Sequence, residues 1–148
     1  MTMRCLIPAL FAGLLLTMAI AELQPVISGD HIDCAIQEGP CRKTTGSGIE
    51  VVFDMTPRPV KAMQELEFVV TLRNEGKPVT GASLILDLSM PGMFMGNNQP
   101  KFAEDQGGSY RGRGVIPRCS TGSKIWKAFI AIAHGGQIEK VVFLFEVL

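Results

Sequence analysis

Beyond residue 48 the apolar positions fall on every second residue. In IEVVFDM, Ile49, Val51, Phe53 and Met55 share one face, and in ELEFVVTLR, Leu66, Phe68, Val70 and Leu72 do the same, the spacing of half-buried strands. Pro57 and Pro59 between them exclude a helix. After the turn residues of NEGKPVTG, Ala82, Leu84, Leu86, Leu88 and Met90 alternate with Ser83, Ile85, Asp87 and Ser89. GGSYRGRGVI reads as a weaker, glycine-rich strand. KIWKAFIAIAH is a strong one, with Trp126, Ala128, Ile130 and Ile132 on one face. Gly135-Gly136 then makes a two-residue hairpin into the last strand, where Val141, Phe143, Phe145 and Val147 alternate to the end.

Short strands separated by turn signals, with no helical period, predict an all-β fold: an immunoglobulin-like antiparallel β-sandwich of about seven strands, with a small barrel as the alternative. A chain of 148 residues has room for one such domain and a short appendage.

The appendage is N-terminal. In MTMRCLIPALFAGLLLTMAIAEL, Arg4 precedes an apolar run, and Ala19-Ile20-Ala21 has the small-x-small form of a cleavage site, so residues 1 to 21 predict a signal peptide and export to the periplasm or beyond. The uncharged run from Cys5 to Ala21, about 17 residues, sits at the lower limit of a membrane span, which makes an uncleaved anchor the alternative. Residues 22 to 47 form an extension, ending in the polar linker KTTGSG, and residues 48 to 148 form the sandwich.

Export changes how the cysteines are read. In an oxidising compartment neighbouring thiols pair. Cys34 and Cys41, joined by a segment with a Gly39-Pro40 turn, predict a disulfide. Cys119 is then odd, and two readings stand: a buried unreactive thiol, or a metal ligand or intermolecular partner.

Charge and inventory narrow the function classes. Lysine and arginine number 14, as do aspartate and glutamate, so no net field draws in nucleic acid or an anionic membrane surface. The arginines of RGRG (111 to 114) are expected to be solvated or paired with neighbouring acids. There is no HExxH, no GxSxG and no zinc spacing of cysteines, and the two histidines are His31 and His134. No catalytic triad can be assembled from these residues, which predicts a non-enzymatic domain. CSTGSK lacks the order of a phosphate loop and reads as a turn.

One soft-donor cluster is left. SMPGMFMGN gathers Met90, Met93 and Met95 around Pro91-Gly92. Met90 continues the inward series of its strand and predicts a core plug, while Met93 and Met95, two apart in an extended loop, can point the same way. Thioethers favour Cu(I) and keep their ligating form at any pH. Met93 and Met95 are therefore candidate Cu(I) ligands, with His134 or Cys119 as the third. The metal-free expectation is that both methionines fill the irregular end of the core.

From about Val52 to Val147 the chain resembles the YtkA-like domain family, which includes the periplasmic part of FixH-type proteins. The matching pieces are DMTPRPVKAMQELEFVVTL, GKPVTGASLILDLSMPGMFMGNN, GGSYRGRGVI and the Trp126 strand. The resemblance implies an exported immunoglobulin-like sandwich associated in some relatives with copper supply to respiratory oxidases. The Cys34 to Cys41 segment lies outside the shared domain. Two classes follow: a copper-binding or copper-delivering domain serving a respiratory or envelope complex, and a metal-free module that docks on such a complex.

Overall fold

The computed structural model describes residues 31 to 148; the expected signal segment and Cys5 lie outside the described residues. Nine strands follow one another: β1 (Cys41–Thr44), β2 (Ile49–Thr56), β3 (Glu65–Asn74), β4 (Lys77–Pro78), β5 (Ser83–Ser89), β6 (Phe102–Glu104), β7 (Ser109–Val115), β8 (Ile125–His134) and β9 (Gln137–Glu146). One sheet runs β1-β2-β3-β7-β6 with β4 added to β3, and the other runs β5-β8-β9. All pairings are antiparallel. Among the described residues no helix is long and apolar enough to cross a membrane.

The period of two is what makes this a sandwich. Val51, Phe53 and Met55 of β2, Phe68 and Val70 of β3, and Trp126, Ala128 and Ile130 of β8 are all buried. The two sheets meet where the Phe53 ring lies 5.5 Å from that of Phe143 and 6.2 Å from that of Phe145, in the tilted geometry aromatic pairs prefer. The crossing between sheets is pinned by Tyr110, whose hydroxyl donates to the Val79 carbonyl at 3.0 Å and accepts from the Ala82 N–H at 3.0 Å. A tyrosine hydroxyl held by the backbone of a crossing is also a mark of immunoglobulin-like sandwiches.

Two features depart from the pattern read along the chain. The KTTGSG stretch is not a linker: it closes β1 and turns into β2, with the Thr45 N–H on the Ile49 carbonyl at 2.9 Å. The extension from Asp33 onward is therefore part of the sandwich. Cys34 and Cys41 form the expected disulfide, and the segment it closes is bound to the edge of β9. Asp33 and Cys34 both donate to the Leu144 carbonyl, each at 3.0 Å. Gln37 bridges the Val60 and Glu146 carbonyls at 2.9 and 3.0 Å.

The second departure is β6, which pairs across Phe102 and Gly112. A Cβ at Gly112 would stand 2.8 Å from the Lys101 carbonyl oxygen and 3.1 Å from the Phe102 ring. The glycines that weaken β7 as a sequence signal are what let this edge close. Between them the arginines pair outward: Arg111 with Asp105 at 2.8 Å and Glu67 at 3.2 Å, and Arg113 with Glu65 at 3.9 Å.

The strand registers send three loops to one end of the sandwich, those of residues 57 to 64, 90 to 98 and 116 to 124. The Met63 N–H donates to Ile116 at 2.8 Å, Ala62 to Leu148 at 2.9 Å, and Val147 to Lys124 at 2.9 Å. Of these the Ala62–Leu148 bond joins the two sheets at that end.

Candidate functional site

β5 delivers Met90 to this end with its side chain inward and 3% exposed, as its phase predicts. Pro91-Gly92 then reverses the chain. Gly92 has φ 67° and the Met93 N–H bonds the Met90 carbonyl at 3.2 Å, the signature of a type II turn. Met90 and Met93 are bridge partners, and side chains opposite one another on a bridge share a face. Met93 therefore points to the side on which Met90 enters the core, but lies at its rim, 36% exposed. Phe94 points away and is 92% exposed. Met95 is partly buried and packs against the core, less exposed than Met93.

The partner that the fold brings to Met93 is Cys119. After β7 the chain passes buried Ile116 and Pro117, and the turn Cys119-Ser120-Thr121-Gly122 closes with the Gly122 N–H on the Cys119 carbonyl at 3.2 Å. The Cys119 side chain is buried, with the residue 6% exposed, and it is the free cysteine among the described residues. Its Sγ lies 3.9 Å from Met93 Sδ and 3.0 Å from the Thr121 hydroxyl oxygen. The Cys119 thiol is lowered below its ordinary value, first by the Thr121 hydroxyl, with backbone N–H groups of the turn adding to it against the opposing effect of burial. A hydrogen-bond donor at a sulfur favours its thiolate form, the form that binds metals.

The spacing of the two sulfurs can be tested against a metal. With metal–sulfur bonds of about 2.3 Å, two ligands about 120° apart stand about 4.0 Å from each other, and two ligands in line about 4.6 Å. The observed 3.9 Å lies between the tetrahedral spacing of about 3.8 Å and the trigonal one, so the two sulfurs are close enough to share one ion. A thioether with a thiolate is the donor set that soft Cu(I) prefers. No three His, Cys, Asp or Glu side chains converge among the described residues.

His134 is not brought to this site. It pairs with Gln137 across the Gly135-Gly136 turn, whereas the methionine loop adjoins the start of β8, where Ser89 pairs with Lys127. The separation is about seven residues along one strand, about 23 Å at ~3.3 Å per residue. His31 is exposed in the N-terminal segment.

Cys119 also lines a cleft of about 250 Å³ together with Arg118, Lys124, Trp126, Ala62 and Leu148. The sequence reads CSTGSK as a turn, which it is, but does not reveal that the turn sets the Thr121 hydroxyl on the cysteine sulfur. Nor does it show Trp126 as a wall of this cleft, because the same period that marks it as core hides its second contact.

Comparison with known proteins found no matching family model, no similar curated protein and no similar solved structure.

Proposed function

We propose that this chain is an exported, non-enzymatic β-sandwich domain that binds Cu(I) through Met93 and Cys119 and passes it to a respiratory or other envelope complex. The observation that carries the proposal is the 3.9 Å approach of Met93 Sδ to Cys119 Sγ, two soft donors from loops far apart in sequence. The resemblance of residues 52 to 147 to YtkA-like domains supports it, since MPGMFMG is the most specific part of that resemblance. The Thr121 hydroxyl 3.0 Å from the Cys119 sulfur supports it further, by loosening the proton's hold on a thiolate ligand.

The test is a Cu(I) competition titration. Met93→Leu keeps apolar bulk and removes the sulfur. Met93→Leu and Cys119→Ser are each expected to weaken Cu(I) binding by tenfold or more, on the order of 1.4 kcal/mol, while Met95→Leu has a smaller effect. Wild-type affinity in both single variants would sink the copper site.

The second reading is a metal-free module that docks on an envelope complex. It is favoured by Phe94, 92% exposed at the loop tip, a large apolar side chain that a docked partner would cover. Under that reading the Met93 and Cys119 sulfurs make only a weak contact, and the titration finds no specific Cu(I) binding. Neither reading calls for nucleic acid, and a membrane enters only through an uncleaved N-terminal segment.

A further inference from the structure

We propose that two copies of this chain join edge to edge through β5, with Leu84 of each opposite Leu86 of the other and the two Ile85 residues facing each other across a two-fold axis. Neither copper nor the sulfur pair enters this contact.

Among the described residues the other sheet edges are short, charged or covered. β1 has four residues, Arg42 and Lys43 among them, β4 is Lys77–Pro78, and β6 has three residues. β9 carries Glu139 and Lys140 in its first half. Its second half is covered where Asp33 and Cys34 donate to the Leu144 carbonyl and the Lys43 ammonium donates to the Val142 carbonyl. Sheets are kept from pairing with other chains by these means. β5 is the opposite edge of the same sheet as β9, and its seven residues include no proline and a single charge, Asp87.

Along β5 the backbone groups alternate between β8 and the open edge. Leu88 belongs to the outward set, since its N–H donates to the Asn98 carbonyl at 3.0 Å, and Leu86, Leu84 and Ala82 face outward with it. The Ala82 N–H is taken by the Tyr110 hydroxyl at 3.0 Å. Between these two stops the N–H and C=O groups of Leu84 and Leu86 have no backbone partner among the described residues. A groove of about 380 Å³ opens beside Leu84 and Ile85.

The free groups are symmetric about Ile85. An antiparallel copy centred there sets Leu84 against Leu86 twice, and each such pair exchanges both of its hydrogen bonds. Centring one residue earlier would call on the Ala82 N–H, and one residue later on the Leu88 N–H, both already donated. Ile85, 51% exposed, then meets its counterpart in the closer, non-hydrogen-bonded kind of pair, and Asp87 falls opposite Ser83, so no like charges meet. An unrelated strand can take the same backbone bonds, but the symmetry of the free groups and the match at positions 83, 85 and 87 favour a second copy.

The experiment is sedimentation equilibrium of the native protein without added metal. The expected result is a mass that rises from one copy to two between about 1 µM and 1 mM. Ile85→Lys sets like charges against each other at the axis and is expected to weaken association tenfold or more, while Ile85→Val keeps it. Circular dichroism of both variants should match the wild type, because the side chain projects from the sheet. In a Cys119→Ser background, Ile85→Cys is expected to form a disulfide between copies under mild oxidation. Ser83→Cys is not, since the two positions 83 lie four residues apart along the seam, about 13 Å at ~3.3 Å per residue, beyond disulfide reach.

A monomer throughout that concentration range would overturn the proposal and leave the β5 edge to a strand of another protein. A dimer indifferent to Ile85→Lys would overturn it by placing the interface elsewhere, and crosslinking as ready at 83 as at 85 would overturn the register. The Cu(I) titration is read separately, so each proposal fails or stands without the other.

Discussion

Met90 and Met93 face each other across the Pro91-Gly92 turn as bridge partners, the Met93 N–H on the Met90 carbonyl at 3.2 Å. One is sealed in the core and the other stands at its rim beside Cys119. The turn thus divides two chemically identical side chains between the core and its rim, and the proposed copper site uses the second. Met90→Ala is expected to destabilise the domain by about 2 to 5 kcal/mol in denaturant unfolding, the usual result of emptying a buried methionine site. Met93→Leu is expected to cost less than about 1.5 kcal/mol, as volume-conserving swaps do. Copper affinity should show the reverse order, falling in Met93→Leu and holding in folded Met90→Ala.

The donors around Cys119 predict a pH dependence. Its thiol is lowered from the ordinary value of 9.0, first by the Thr121 hydroxyl, so the thiolate is favoured in the fold. Thiolate-dependent Cu(I) affinity falls as pH drops through the folded pKa, where protons compete for the sulfur. Thr121→Val removes the leading donor and should move that fall to higher pH. Well above 9.0 wild type and variant are both ionised and their affinities converge. The stability linked to the thiolate has the same sign: present above the unfolded pKa and lost as pH falls through the folded one. Titration of copper affinity against pH in both proteins decides the matter.

Tyr110→Phe removes one group that serves two backbone partners, the Val79 carbonyl and the Ala82 N–H. Leaving these polar groups without the hydroxyl is expected to cost about 1 to 3 kcal/mol. The tyrosine is raised above 10.0, chiefly by burial. A raised pKa means that the fold holds its proton where the unfolded chain has lost it, so wild-type stability falls as pH climbs past the unfolded value. Tyr110→Phe lacks that contribution, and unfolding measured from pH 8 to about 11 should show a shallower alkaline decline.

The Cys34–Cys41 disulfide closes a short loop, worth about 2 to 3 kcal/mol in the chain-entropy account. Changing both cysteines to alanine is expected to lose that much. It should also speed hydrogen exchange at the Leu144 amide, which donates to Asp33 at 3.0 Å and depends on the closed segment for its cover. Copper affinity should be unchanged.

Most of the sandwich was legible because each long strand has one wet face and one dry face. Residues 82 to 90 alternate without a break, and Gly135-Gly136, with φ of 58° and 78°, is a turn that the residue type itself announces. β1 was not legible: its four residues have no buried apolar series of their own, and only pairing with β2 makes them a strand. β6 was hidden for a related reason, since its cue is the absence of a side chain at Gly112 on the neighbouring strand. Of the site, the methionines and the odd cysteine were visible singly. Cys119 and His134 looked equivalent as partners, because a strand's direction relative to a distant loop is set by sheet order, which no local pattern carries.

That direction has a practical use. The Gly135-Gly136 turn and the sulfur pair close opposite ends of β8, so a tether or label inserted between the two glycines projects away from the methionine loop. Protein immobilised through that turn would offer its sulfurs to the bulk solution in one uniform orientation. Surface-based exchange measurements could then compare metal donors and acceptors approaching the same face.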